Sequence, residues 1–232
     1  MNKPTPLPLY MSVREYTWGI RYTLFQLFFL PSLLALVLGL VWPGCDGTVR
    51  RFLFYLINFS VLVPLLHNYL HQAVGHFYKN APKILLTALI GFALYYLCNN
   101  GLTLLIQKLM PQFFNVNDSN IVATADSNLL LLAMGTVVFV PAAEELMYRG
   151  LLYGLCRKRS RILAFAVSTL VFAAIHVTGY IGYYEPLHLL LCYVQYIPAG
   201  LILAGAYEFS GNILSPILIH TVINFIGILS MR

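Results

Sequence analysis

The stretch LLLLAMGTVVFVPAAEELMYRGLLYGL, residues 129–155, carries two adjacent glutamates and one arginine in an apolar run. The run is long enough to cross a bilayer, because a membrane-spanning helix needs roughly 20 apolar residues. Charged side chains at bilayer depth are costly, so they normally face a protein interior or a wet cavity, where they bind, move or cleave something. Glu144, Glu145 and Arg149 therefore indicate where function is expected in a membrane helix bundle.

The composition of the whole chain is that of an integral membrane protein. Of its 232 residues, 59% are hydrophobic and 9% are charged, and the mean hydropathy is +0.77. A soluble domain carries about 25% charged residues. The net charge of +6 is spread over loops, and no charged face is available. We therefore expect membrane lipid and no nucleic acid as partner. The four cysteines are scattered, which argues against a disulfide or metal set.

The apolar segments predict an all-α fold, a polytopic membrane helix bundle of about seven transmembrane helices. An eighth span is possible because Cys98-Asn99-Asn100-Gly101 interrupts the third segment with polar residues. The segments long enough to span are Ile20–Val41, Phe52–Leu70, Ile84–Ile106, Leu129–Leu155, Ile162–Tyr183, Leu187–Tyr207 and Ile213–Ser230.

Basic residues between the segments predict the orientation in the cell membrane. Clusters at Lys3–Arg21, Lys79–Lys83 and Arg157–Arg161 fall on one side if the spans alternate, which places that side and the N-terminus in the cytoplasm. The polar loop Met110–Ser127, with Asp118 and Asp126, falls on the other side, as do Arg50 and Arg51, which oppose the assignment. We predict one integral membrane domain, with lead-in helices and the loop in residues 1–128 and a four-helix catalytic core in residues 129–232.

The glutamates divide into two roles by their position on the helix. Glu145 and Arg149 are four residues apart, so they share a helix face and can pair. Glu144 projects about 100° away around the helix and is available for another partner. Tyr148 stands beside them and could hydrogen-bond Glu144 or a substrate. The alternative is a buried ion pair that only holds helices together.

Two later spans contribute polar groups at similar depth. His176 ends the sequence Phe172-Ala173-Ala174-Ile175-His176, and His220 precedes Asn224 by four residues, so those two side chains project together. With a rise of about 1.5 Å per residue, Glu144, His176 and His220 all come near the bilayer midplane. A lone histidine or a His/Asn pair can also serve only helix packing.

Together the three motifs, Glu-Glu-x-x-x-Arg, Phe-x-x-x-His and His-x-x-x-Asn on separate spans, resemble the type II CAAX prenyl endopeptidase family. This family is also called the Abi or CPBP family of intramembrane proteases. The resemblance covers the chain from about Leu129 to the C-terminus. It implies that Glu144, helped by His176, is the general base that activates water, and that His220 and Asn224 stabilise the oxyanion. It further implies that Glu145 and Arg149 shape and charge-balance the site, with Phe172 as a packing residue.

The chemistry of these residues is consistent with a hydrolase that uses a water nucleophile. Amide hydrolysis needs a positioned water, a base and donors aimed at the developing charge. No serine or cysteine stands in an obvious nucleophile motif. Zinc held by Glu144, His176 and His220 is possible, but the spacing does not enforce tetrahedral geometry, so we expect no metal and no other cofactor.

We therefore predict an intramembrane endopeptidase that is CAAX-protease-like and takes a peptide or lipidated-peptide substrate from the membrane or cytoplasm. One alternative is a non-catalytic membrane protein of the same family that acts in regulation or bacteriocin self-immunity. Another is a proton-coupled transporter, against which the lack of an internal repeat argues. A homo-oligomer or a membrane-protein partner is compatible with the sequence.

Overall fold

The computed structural model describes residues 9–123 and 128–230, so Lys3 and Asp126 of the sequence prediction lie outside the described residues. The described chain is helical, with no strand beyond an isolated bridge between Ile181 and Tyr184. The all-α prediction is confirmed. The helices are α1 (Val13–Phe28), α2 (Leu30–Val41), α3 (Gly47–Leu65), α4 (His67–Leu109), α5 (Val116–Ala123), α6 (Leu129–Arg157), α7 (Arg161–Ile175), α8 (Pro186–Ser210) and α9 (Leu214–Leu229).

Local chemistry sets where several helices begin and end. At the start of α1, Ser12 and Glu15 form a reciprocal capping box, which satisfies two backbone N–H groups. Asp46 caps α3 and Ser160 caps α7 through side-chain oxygens. Helix α8 ends at Gly211, whose φ of 67° lies in the left-handed region that favours glycine.

The chain is a multi-pass membrane protein, and its helices account for all seven predicted segments. Among the described residues, five helices are long and apolar enough to span, and α1 with α2 forms a sixth candidate that is bent by 58°. Helix α9 is apolar but has only 16 residues. The count of about seven is therefore approximate.

Two features of the lead-in helices differ from the sequence prediction. The expected interruption at Cys98–Gly101 is wrong, because α4 continues through these residues as helix. The kink in α4 lies instead at Asn80, which has non-helical backbone angles two residues before Pro82. Proline restricts the residues before it and removes a backbone donor. The bend therefore follows from Pro82 and not from Asn99 and Asn100.

Helix α6 is the central element, and its backbone is irregular around the glutamates. Two π-helical stretches, Met134–Phe139 and Leu146–Tyr153, flank the regular segment Val140–Glu145. The second stretch is almost wholly buried. A π-helical stretch changes which side chains share a face, and such stretches are frequent at functional sites. The irregular backbone thus coincides with the charged residues of the span.

The helix ends meet at two opposite ends of the bundle. At one end, the Lys158 ammonium lies 4.2 Å from the centre of the Tyr16 ring, and Asn212 donates to the Ala73 carbonyl at 2.8 Å. At the other end, Arg51 donates to the Asn120 carbonyl at 3.4 Å. Helix α5 therefore lies opposite the turn that follows α6.

Candidate active site

A buried charge network joins α6 to α8 and α9. Arg149 Nη1 donates to Glu145 Oε1 at 3.0 Å, and His220 Nδ1 lies 2.9 Å from the same oxygen. Arg149 Nη2 donates to the Gly200 carbonyl at 3.2 Å. The guanidinium carbon lies 4.4 Å from the centre of the Phe172 ring, a cation–π distance. The side chains of Glu145 and Arg149 are both 0% exposed, so their charges are compensated within the protein.

Hydrogen bonds fix the tautomers of the two histidines. His176 Nδ1 lies 2.7 Å from the Phe172 carbonyl oxygen, which can only accept, so Nδ1 carries a proton. His220 Nδ1 faces Glu145 Oε1, which accepts from Arg149 Nη1 and acts here as an acceptor, so this Nδ1 also donates. In each ring, Nε2 is left to interact with another partner.

Six of the eight predicted site residues line one cavity. Its volume is about 850 Å³, and Glu144, Tyr148, Phe172, His176, His220 and Asn224 are in its wall. Glu144 Oε2 is buried and has no hydrogen-bond partner among the described residues. An unpartnered buried carboxylate oxygen is costly, so it points to a ligand or water in the cavity. Glu145 and Arg149 lie behind this wall.

Asn224 and Tyr148 are held by different contacts. Asn224 Nδ2 donates to the Thr136 carbonyl at 2.7 Å, which uses one of its two N–H groups and leaves the other for the cavity. Tyr148 packs edge-to-face against Phe172 with ring centres 5.7 Å apart and is 1% exposed. No hydrogen bond joins Tyr148 to Glu144 within the described part of the chain.

Tyr196 on α8 is a site residue that the sequence reasoning missed. Its ring stacks on His176 at 4.2 Å between centres and 26° between planes. Its hydroxyl lies 3.0 Å from Asp118 Oδ1 and 3.2 Å from Asn115 Oδ1. Tyr196 therefore ties the histidine to the loop before α5. No pattern distinguishes it among the sixteen tyrosines of the chain.

The residues do not form a metal centre of the usual kind. Within the described ranges, no group of three or more His, Cys, Asp or Glu side chains is arranged to hold a metal ion. Glu144, His176 and His220 of the described chain share a cavity but not a common ligand position.

Comparison with known proteins bears on the last part of the chain. No curated protein and no solved structure matches the sequence. A family model does match, and it covers residues 126–226, where all eight predicted site residues lie. Over these residues the chain is similar to the family described as type II CAAX prenyl endopeptidase Rce1-like, which confirms the resemblance indicated by the three motifs.

Proposed function

We propose that this protein is an intramembrane endopeptidase that hydrolyses a peptide bond with a water activated by Glu144. The observation that carries the proposal is the convergence of Glu144, His176, His220 and Asn224 on the wall of one cavity. Glu144 lies on α6, His176 directly follows α7, and His220 and Asn224 lie on α9. The family match supports a CAAX-protease-like membrane endopeptidase at the level of the family.

The reaction begins with a water between Glu144 Oε2 and His176 Nε2. Both atoms can accept, because Glu144 Oε2 has no partner among the described residues and His176 holds its proton on Nδ1. The water oxygen attacks the carbonyl carbon, and its proton passes to Glu144. Glu144 then gives that proton to the leaving amine, so the carboxylate is regenerated. General base and acid catalysis of this kind contributes about 10²–10⁴-fold.

His220 and Asn224 face the oxygen that becomes negative. Asn224 has one N–H left after its bond to Thr136, and it can donate to the oxyanion. His220 donates Nδ1–H to Glu145, so only the doubly protonated ring can also donate from Nε2. In this mechanism, Glu145 and Arg149 hold the His220 ring in its orientation, and Glu145 balances the charge of the protonated ring.

The cavity suits a short extended segment of a peptide, with or without a lipid. Its volume of about 850 Å³ is within the range of about 300–1,000 Å³ that is usual for ligand sites. The wall combines the polar groups above with aliphatic and aromatic side chains, among them Leu203 and Ile223. We propose the cell membrane as the location and a mechanism without metal.

The test is cleavage by the purified protein in detergent, followed by mass spectrometry. Candidate peptides are offered with and without a prenylated cysteine. Glu144→Gln keeps the size of the side chain and removes the base, and Glu185→Gln is the matched control because Glu185 is exposed and lies at the start of α8. We expect wild type and Glu185→Gln to cleave at similar rates and Glu144→Gln to cleave about 10²–10⁴-fold more slowly. Binding of peptides without cleavage by any form would favour the non-catalytic alternative.

A further inference from the structure

One end of the bundle carries most of the basic side chains and is called the basic face. Its place is set by contacts: Lys158 lies on Tyr16, and Arg157 pairs with Glu208 at 2.7 Å. Ser215 at the start of α9 donates to the Ile84 carbonyl, which brings the part of α4 that contains Lys83 to the same end. Among the described residues, the basic side chains here are Arg14, Lys79, Lys83, Arg157, Lys158, Arg159 and Arg161.

The opposite end carries fewer basic side chains. Arg51 donates to the Asn120 carbonyl, and His188 donates to the Phe114 carbonyl at 2.9 Å, so α3, the loop before α5 and the start of α8 meet there. The described basic residues at this end are Arg50, Arg51 and Lys108, and its acidic residues are Asp46, Asp118 and Glu185. The basic face thus has seven described basic residues and the opposite end has three. This asymmetry places the basic face in the cytoplasm.

The cavity opens at the end opposite the basic face. The exposed residues of its wall are Pro31 at the start of α2, Asp118 and Val122 on α5, Thr178 and Gly179 after α7, and Ser230 after α9. These residues form the cavity mouth. None of the seven residues of the basic face is in the cavity wall, and neither is Tyr16 or Asn212, which mark that end. The path to Glu144 therefore starts at the end of the bundle with few basic residues.

We infer that the substrate of the proposed peptidase enters from the non-cytoplasmic side of the membrane. The inference rests on the proposed function and on the charge asymmetry. The substrate class is then a peptide segment exposed outside the cytoplasm, in place of the expected entry from the membrane or cytoplasm. Entry from the mouth also sets a minimum length for the segment.

The depth of Glu144 gives that length. Glu144 lies fifteen positions after Leu129, at the mouth end of α6, which corresponds to roughly 22 Å along a helix. An extended peptide rises about 3.3 Å per residue, so about seven residues must reach in before the scissile bond meets the base. A tightly folded substrate cannot do this, so the segment must be unstructured.

Labelling of engineered cysteines on intact bacterial cells tests the entry side. The background replaces the two more accessible cysteines, Cys98 and Cys156, by serine and keeps the buried Cys45 and Cys192. Thr178→Cys at the mouth should react with a membrane-impermeant maleimide on intact cells. Arg159→Cys on the basic face should react only after permeabilisation. Ser119→Cys and Lys83→Cys repeat the comparison at a second pair of exposed positions.

The outcomes separate this inference from the proposed function. Labelling of Arg159→Cys, but not Thr178→Cys, on intact cells overturns the inference even if the purified protein cleaves peptides. A second arm adds an impermeant peptide to right-side-out and inside-out vesicles. Cleavage in right-side-out vesicles alone is the expected result, and cleavage in inside-out vesicles alone overturns it. Correct labelling with no cleavage in detergent overturns the proposed function and leaves the accessible side established.

Discussion

Replacement of Arg149 by methionine would expose how the buried network holds the site together. Methionine has a similar length and no charge, so it fills the space without pairing. The change leaves the Glu145 carboxylate, which is 0% exposed, with His220 as its remaining partner. It also removes the bond to the Gly200 carbonyl and the contact with the Phe172 ring.

The expected cost follows from these contacts. Removal of one partner from a buried ion pair costs about 3–5 kcal/mol, because it leaves a buried charge uncompensated. The double variant Glu145→Gln/Arg149→Met has no such charge. It loses the hydrogen bond to Gly200 and the cation–π contact, which together are worth about 1–3 kcal/mol. The double variant should therefore be about 2 kcal/mol more stable than Arg149→Met.

Thermal unfolding in one detergent, followed by size-exclusion chromatography, measures this difference. At about 2–4 °C per kcal/mol, the double variant should unfold about 4–8 °C above Arg149→Met and below wild type. Arg159→Met is the matched control, since Arg159 is exposed and should tolerate the change. A single and a double variant that unfold at the same temperature would refute the view that an uncompensated Glu145 charge dominates the cost.

Three further predictions concern packing, positioning and metal. Gly200→Ala places a Cβ 3.0 Å from Thr169 Cα and should lower stability by about 1–3 kcal/mol, whereas Gly205→Ala, whose nearest neighbouring atom is 3.9 Å away, should be neutral in the same unfolding assay. Tyr196→Leu removes the stack on His176 and should lower the rate of cleavage by up to about tenfold, with Tyr196→Phe recovering most of it and KM little changed in both. Dialysis against a chelator should leave the rate unchanged, and a loss restored only by zinc would contradict the mechanism without metal.

The sequence predicted the spans and singled out the charged residues of α6, because both features depend on local signals. Apolar length alone identifies α6 to α8, and the charges in α6 are conspicuous because the surrounding residues are apolar. The spacing of four between Glu145 and Arg149 predicted their pairing correctly, and the structure gives 3.0 Å. The depth argument also brought His176 and His220 to one cavity with Glu144.

Other features depend on contacts between distant parts of the chain, which the sequence does not specify. The Glu145–His220 bond joins residues 75 positions apart, and no pattern links a carboxylate in α6 to one particular ring in α9. The stack of Tyr196 on His176 depends on how α7 and α8 pack. The π-helical stretches of α6 have no propensity signal, and the kink of α4 followed Pro82 instead of the polar run that seemed a better candidate.

A double-mutant cycle of cleavage rates can show whether Glu144 and His176 act on one water. Residues that act as a unit have strongly non-additive effects on kcat/KM. Glu144→Gln, His176→Ala and the double variant are assayed with one peptide by mass spectrometry. If both residues act on one water, the double variant should be no slower than the slower single variant. Losses that multiply would contradict it, because they would place the carboxylate and the imidazole in independent roles.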